Sequence, residues 1–242
     1  MGVPTGSVVA GFNGSSESLL ALDWAAVESV RLARPLTVVI AQDDISQVVA
    51  IDTGARERLD RLMATAYERL MPGPAEDIFV NLVGGPPYRA LLEASVDARM
   101  LVLGAHRRPV FAGLAPFSVG RRVIGHTSCP VVVVRPPRDP ASRTVLVGLE
   151  GAGGRAALSF GMDLASRNEM SVLALSRTDR ALAELLAGCG ARYPEVTVAR
   201  QDVVGKPLQV LAEASRHASL AVAGSTAHGI VRRAHCPVAI AR

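Results

Sequence analysis

Lysine is almost missing from this chain: Lys206 is the sole one, and arginine supplies the remaining cationic side chains. That skew reads as codon preference before it reads as chemistry. Aromatic residues make up only 4% of the sequence, and the basic residues behind a formal charge of +4 are scattered among acidic ones, with no run of five or six like charges. The stacking platforms and basic patches that nucleic-acid recognition uses are therefore absent, and nucleic acid is not expected as a partner. Cysteine is scarce too. Cys129, Cys189 and Cys236 form an odd set without regular spacing, which argues against a disulfide framework and for a reducing cytoplasm. No stretch approaches about 18 uninterrupted apolar residues, the length a membrane-spanning helix needs, so no membrane association is expected. The opening MGVPTGSVVAGFNGS lacks the basic flank and apolar core of a secretory signal, and Gly6 stands where a myristoylation motif wants Ser or Thr. The predicted location is the cytoplasm.

What the chain does contain is itself, twice. Val8-Val9-Ala10-Gly11-Phe12-Asn13-Gly14 is echoed by Val145-Leu146-Val147-Gly148-Leu149-Glu150-Gly151, at an offset of 137 residues. Gly85-Pro86-Pro87 and the LVLG run ending at Gly104 match Gly205-Lys206-Pro207 and the AVAG run ending at Gly224, at an offset of 120. The Cys-Pro-Val segments at Cys129 and Cys236 close each copy, 107 apart. The shrinking offset means that the second copy has lost 17 residues before its third helix and 13 after Gly224. Self-similarity at so long a period points to tandem domains. The Pro-rich stretch 137–143 reads as an extended connector, which gives a first domain over 1–136 and a shortened second one over 144–242.

Within the first copy, short β-branched runs alternate with helical patterns: SVVAGF, a helix near 15–33, LTVVIAQ, a helix near 53–70, DIFVNLV, a helix near 87–97, MLVLGA, a helix near 117–126, and VVVVR. Runs that are apolar throughout, without alternation, indicate strands buried on both faces, as in a parallel sheet flanked by helices. The fold class is α/β, a doubly wound parallel-sheet domain repeated in tandem.

At this point VVAGFNGSSES, GGPPYRALLEAS, LVLGAH, FAGLAPFS and HTSCPVVVVRP together resemble the universal stress protein family. That family carries an Asp-Gly-Ser after the first strand, a G-x2-G-x9-G-Ser/Thr loop after the fourth and a Cys-Pro-Val fifth strand. The resemblance covers almost the whole chain as a tandem pair and implies a five-stranded sheet of order 3-2-1-4-5 in each copy. In members that bind ATP it also implies a site at the end of strands one, two and four. Carried over by position, that site takes Gly11 and Asn13 after the first strand, Ala41 at the end of the second, and Gly104, Arg107, Gly113, Ser118 and Val119 in and after the loop.

The loop departs from the family pattern in ways that matter physically. Asn13 stands for the acidic residue, and Arg107 and Phe117 stand for two glycines. Glycine is needed where consecutive N–H groups must converge on an anion beside a helix N-terminus. A side chain forced into such a backbone costs about 1–3 kcal/mol. Pro109 and Pro116 remove two further donors. Arg107 works in the opposite direction, because a guanidinium pairs with phosphate oxygens bidentately. In the second copy the chain runs from Gly224 almost directly into the last strand, leaving no length for a phosphate loop.

Other clusters have plain structural readings. His126 with Cys129, and His235 with Cys236, lack the Cys-x2-Cys spacing of a metal site and are explained by the repeat as helix ends entering strands. Cys189 reads as structural, Ser118 as a helix cap in the absence of a G-x-S-x-G elbow, and Gly154 as the start of a helix. No motif brings an acid, a base and a nucleophile together, so an enzyme is not expected beyond a weak ATPase. Two functions follow from the resemblance. The first is a stress-response module that interacts with other proteins, its two domains paired as an intramolecular pseudo-dimer through strands 131–134 and 238–241, with ATP binding weak or lost. The alternative is a switch that binds ATP or another adenine nucleotide in the first domain only. Homo-oligomers and an unidentified protein partner are compatible with both.

Overall fold

The computed structural model describes residues 2–42, 57, 60, 61, 63–65, 68, 77–105, 119–149, 153–177, 188, 189 and 191–242. The chain divides into two compact units, Met1–Val134 and Arg135–Arg242.

The first unit is built on five described strands: β1 (Val8–Gly11), β2 (Leu36–Gln42), β3 (Ile78–Gly84), β4 (Met100–Gly104) and β5 (Val131–Val134). All pair in parallel, in the order β3-β2-β1-β4-β5. This is the predicted order. Val8, Val9, Leu101, Val102, Val131 and Val132 are completely buried, as strands covered on both faces require. Helix α1 (Ser16–Leu32) joins β1 to β2 and lies against β1 and β4. Ala21, Leu22, Ala25, Glu28 and Ser29 form its buried face, at the spacing of three and four that puts side chains on one stripe. Its start is set by Ser15, whose hydroxyl accepts the Ser18 N–H, and its end by Ala33 in the left-handed region at φ 49°. Described positions between 57 and 68 are helical, within the helix expected near 53–70. Helix α2 (Pro87–Ala94) has its proline at the first turn, where the missing N–H is no loss. Helix α3 (Val119–His126) leads into β5.

The second unit repeats the plan. Its strands are β6 (Thr144–Gly148), β7 (Ser171–Ser176), β8 (Val198–Asp202), β9 (Leu220–Gly224) and β10 (Val238–Ala241), parallel in the order β8-β7-β6-β9-β10. Helix α4 (Gly154–Arg167) follows β6, and Gly154 is its first residue, as the sequence indicates. Gly153 before it sits at φ +98°, a conformation that side chains rarely adopt. Helix α5 (Pro207–Ala214) again starts on a proline. The departure from the first unit comes after β9, where residues Ser225–Arg232 form a 3₁₀ helix that returns the chain to β10. The Pro-rich stretch after β5 is fastened within this unit: Arg138 N–H donates to His235 O at 2.8 Å and the Ser142 hydroxyl to His217 O at 2.8 Å. No helix among the described residues is long and apolar enough to cross a membrane.

Candidate functional site

In an open parallel sheet, ligands bind at the carboxyl ends of the strands, where the chain reverses its direction of winding. In the first unit that point lies between β1 and β4, because α1 carries the chain from β1 to β2 on one side while β4 and β5 lie on the other. Gly11, Asn13 and Gly104 come together here, with Ala41 at the end of the adjacent β2, half-buried and paired with Val83. Val119 opens α3. Arg107, Gly113 and Ser118 lie outside the described residues, as do His106, Arg108 and Phe117.

The described part of the site is closely closed around α1. Asn13 is exposed, and its side-chain oxygen accepts the Ser15 N–H at 3.1 Å while its own N–H donates to the Ser18 hydroxyl at 3.4 Å. The Ser18 hydroxyl in turn donates to Ser15 O at 2.8 Å. The first turn of α1 is thereby capped by its own side chains, and Glu17 adds an acidic group there. Both features oppose a phosphate at this helix end. Gly104 meets a packing requirement of its own. A Cβ at this position would lie 2.4 Å from the carbonyl carbon and oxygen of Glu17 and 2.8 Å from Ser18 N, so only a bare backbone lets α1 approach β4 this closely.

The corresponding point in the second unit lies between β6 and β9. There a Cβ on Gly153 would meet Gly224 Cα at 3.1 Å and Ser225 N at 3.2 Å. The turn into α4 therefore rests on the end of β9, in the position where a phosphate loop would begin. Glu150 lies outside the described residues. Position 41 of the first unit corresponds by register to Arg177, whose guanidinium donates to Gly205 O.

The His and Cys pairs sit elsewhere, at the amino ends of β5 and β10. His126 Nδ1 bonds to Arg122 O at 2.7 Å, while Cys129 is buried. Cys236 is buried with its thiol pushed up to about 12, chiefly by burial. His235 is held below the usual histidine range, first by burial and then by Arg216 and Arg138 nearby. Among the described residues no three His, Cys, Asp or Glu side chains converge as metal ligands. None of the three cysteines is in a disulfide, and burial pushes the Cys189 thiol up.

Sequence reasoning did not single out Leu91 and Leu103, which pack against Gly11 at the strand ends of the first unit, or Leu211 and Ala223 at the corresponding place in the second. The signal was present in the offset of 120, which pairs Leu91 with Leu211 and Leu103 with Ala223.

A model of the Universal stress protein family matches residues 5–135. A universal stress protein of Mycobacterium tuberculosis (strain ATCC 25618 / H37Rv) is 28% identical over an alignment of 285 positions that covers 97% of this chain and 96% of the relative. The crystal structure of a universal stress protein from Archaeoglobus fulgidus DSM 4304 superposes with a TM-score of 0.76 over 99% of both chains at 15% identity, a likeness of fold. A crystal structure of a universal stress protein in complex with cAMP aligns with 54% of this chain and 97% of its own, at 24% identity and a TM-score of 0.45.

Proposed function

Because the chain belongs to the universal stress protein family, we propose that it acts as a stress-response interaction module that works without a tightly held adenine nucleotide. The observation that carries this reading is the contact of Gly153 with Gly224 and Ser225, which puts backbone where a triphosphate would need open space. Asn13 supports it in the first unit. Replacing a carboxylate by an amide removes the charge that would grip a ribose hydroxyl or a hydrated magnesium ion, and the Asn13 oxygen is already engaged by Ser15. Phe117 at a loop position that calls for glycine acts in the same direction.

The partner of each unit, in this reading, is the other one. Val131–Val134 and Val238–Ala241 are wholly apolar and end the strand order of their own units. A bare apolar edge strand invites pairing, and joining the two would give an intramolecular pseudo-dimer whose outer surface meets a protein partner. The fifth strands are, in this reading, the pairing element.

Isothermal titration of the full chain with ATP, AMP and cyclic AMP tests the reading, together with analysis of nucleotide released on denaturation. The expected result is no carried nucleotide and binding no tighter than millimolar. Micromolar ATP binding lost in Arg107→Ala would instead establish a nucleotide switch in the first unit.

A further inference from the structure

The second unit contains a cavity of about 130 Å³ at the carboxyl ends of β6, β7 and β9. Gly148, Leu175 and Ala223 line it from these strands, and Val203 lines it from just beyond β8. Leu208 and Leu211 reach it from α5. Among the described residues that line it, Thr226, an exposed residue of the 3₁₀ helix, carries the one polar side chain, and none is charged.

The repeat explains how the space arose. In the first unit Leu103 and Leu91 fill the corresponding position: a Cβ on Gly11 would stand 2.8 Å from Leu103 Cδ2 and 3.1 Å from Leu91 Cδ2. In the second unit Leu211, the counterpart of Leu91, keeps its place, with its Cδ2 3.1 Å from a Cβ on Gly148. The counterpart of Leu103 is Ala223. An isobutyl group has become a methyl, and neighbouring side chains have not closed the gap. A packed interior tolerates few spaces of this size.

We propose that the second unit binds a small uncharged apolar ligand in this cavity, a single aromatic ring or a short branched alkyl group. An apolar cavity of roughly 150 Å³ stays dry and takes benzene or xenon, and this pocket, open to solvent on the side of Thr226, is similar to it in volume and in its largely apolar lining. A phosphate or carboxylate placed among Leu175, Val203, Leu208 and Leu211 would lose its hydration without gaining a partner. The ligand chemistry is accordingly the reverse of that served by a phosphate loop, and the same shortening after Gly224 that removes the loop brings the 3₁₀ helix to the cavity mouth. This inference is independent of how the first unit treats nucleotides.

Benzene titrated into the full chain labelled with ¹³C at Leu and Val methyls tests it. Saturable shifts of the Leu175, Val203, Leu208 and Leu211 methyls are expected, with Leu22 and Leu36 of the first unit unmoved. Ala223→Leu restores the first unit's packing and is expected to weaken benzene at least tenfold while the chain stays folded. Should that variant fail to fold, crystals of the unaltered chain under xenon pressure give the same reading, with xenon expected against Ala223 and Leu211. The proposal is overturned if benzene saturates none of these methyls, if a folded Ala223→Leu chain binds benzene as well as the parent, if xenon sites elsewhere, or if micromolar AMP displaces benzene.

Discussion

Replacing Gly104 by alanine adds one methyl group at the point where β4 passes α1. The new carbon would fall 2.4 Å from the Glu17 carbonyl atoms and 2.8 Å from Ser18 N, well inside van der Waals contact. Those atoms are backbone in the first turn of a helix anchored along its whole buried face, so they cannot swing aside as a side-chain tip would. Overpacking of a well-filled interior costs about 1–3 kcal/mol, and backbone resistance places this substitution at about 3 kcal/mol. For a domain of this size each kcal/mol moves the melting temperature by about 2–4 °C, giving a fall of about 6–12 °C. Two units make a single whole-chain transition an unsafe reporter. Trp24 solves that problem, because it is the sole tryptophan and lies on α1. Thermal melts followed by its fluorescence read the first unit alone. Gly125→Ala is the control: a Cβ there meets no atom within 4 Å, and a helical glycine replaced by alanine gains about 0.5–1 kcal/mol. A Gly104→Ala melt within 2 °C of the parent, with unchanged Trp24 emission, would refute the close approach of α1 to β4.

Ala33 ends α1 at φ 49° and ψ 52°, so Ala33→Gly relieves a left-handed alanine and is expected to stabilise the first unit by about 1 kcal/mol, read as a rise in the same Trp24 melt. His235 titrates below 6.5 when folded, so the unfolded chain takes up its proton first and this histidine's contribution is present above pH 6.5 and lost as pH falls. An NMR titration checks the depressed midpoint, and Arg216→Ala is expected to move it upward. The Cys236 thiol has the opposite sign: with its folded value at about 12 against 9.0, the unfolded chain ionises first and stability falls as pH climbs from 9 towards 12. A thiol-reactive reagent at pH 8 is accordingly expected to modify half-buried Cys189 in the native chain and to reach buried Cys129 and Cys236 only after denaturation.

Strand positions were legible in the sequence because fully buried parallel strands are written as unbroken Val, Leu and Ile runs. LTVVIAQ corresponds residue for residue to β2, and the tandem plan followed from matching Gly11 with Gly148 and Gly104 with Gly224. The role of Gly104 was not legible. Beyond the ligand's approach that its glycine suggests, it meets a packing requirement, a helix whose first turn crosses the strand end, a tertiary relation that local sequence does not encode. Asn13 likewise reads as a weakened ligand contact in isolation, and only the fold shows its oxygen accepting the Ser15 N–H. The cavity beside Ala223 required comparing two side chains across the repeat, Leu103 and Ala223, together with the knowledge that no neighbour moves in to compensate.

The central claim is that backbone occupies the triphosphate position in the second unit and that the first turn of α1 is already capped in the first. Crystals of the full chain grown with millimolar magnesium and ATP examine both places at once. The account predicts Gly153 in contact with Gly224 and no ordered triphosphate over the starts of α1 or α4. A triphosphate bound there, with Asn13 released from Ser15 or Gly153 displaced from Ser225, would contradict it.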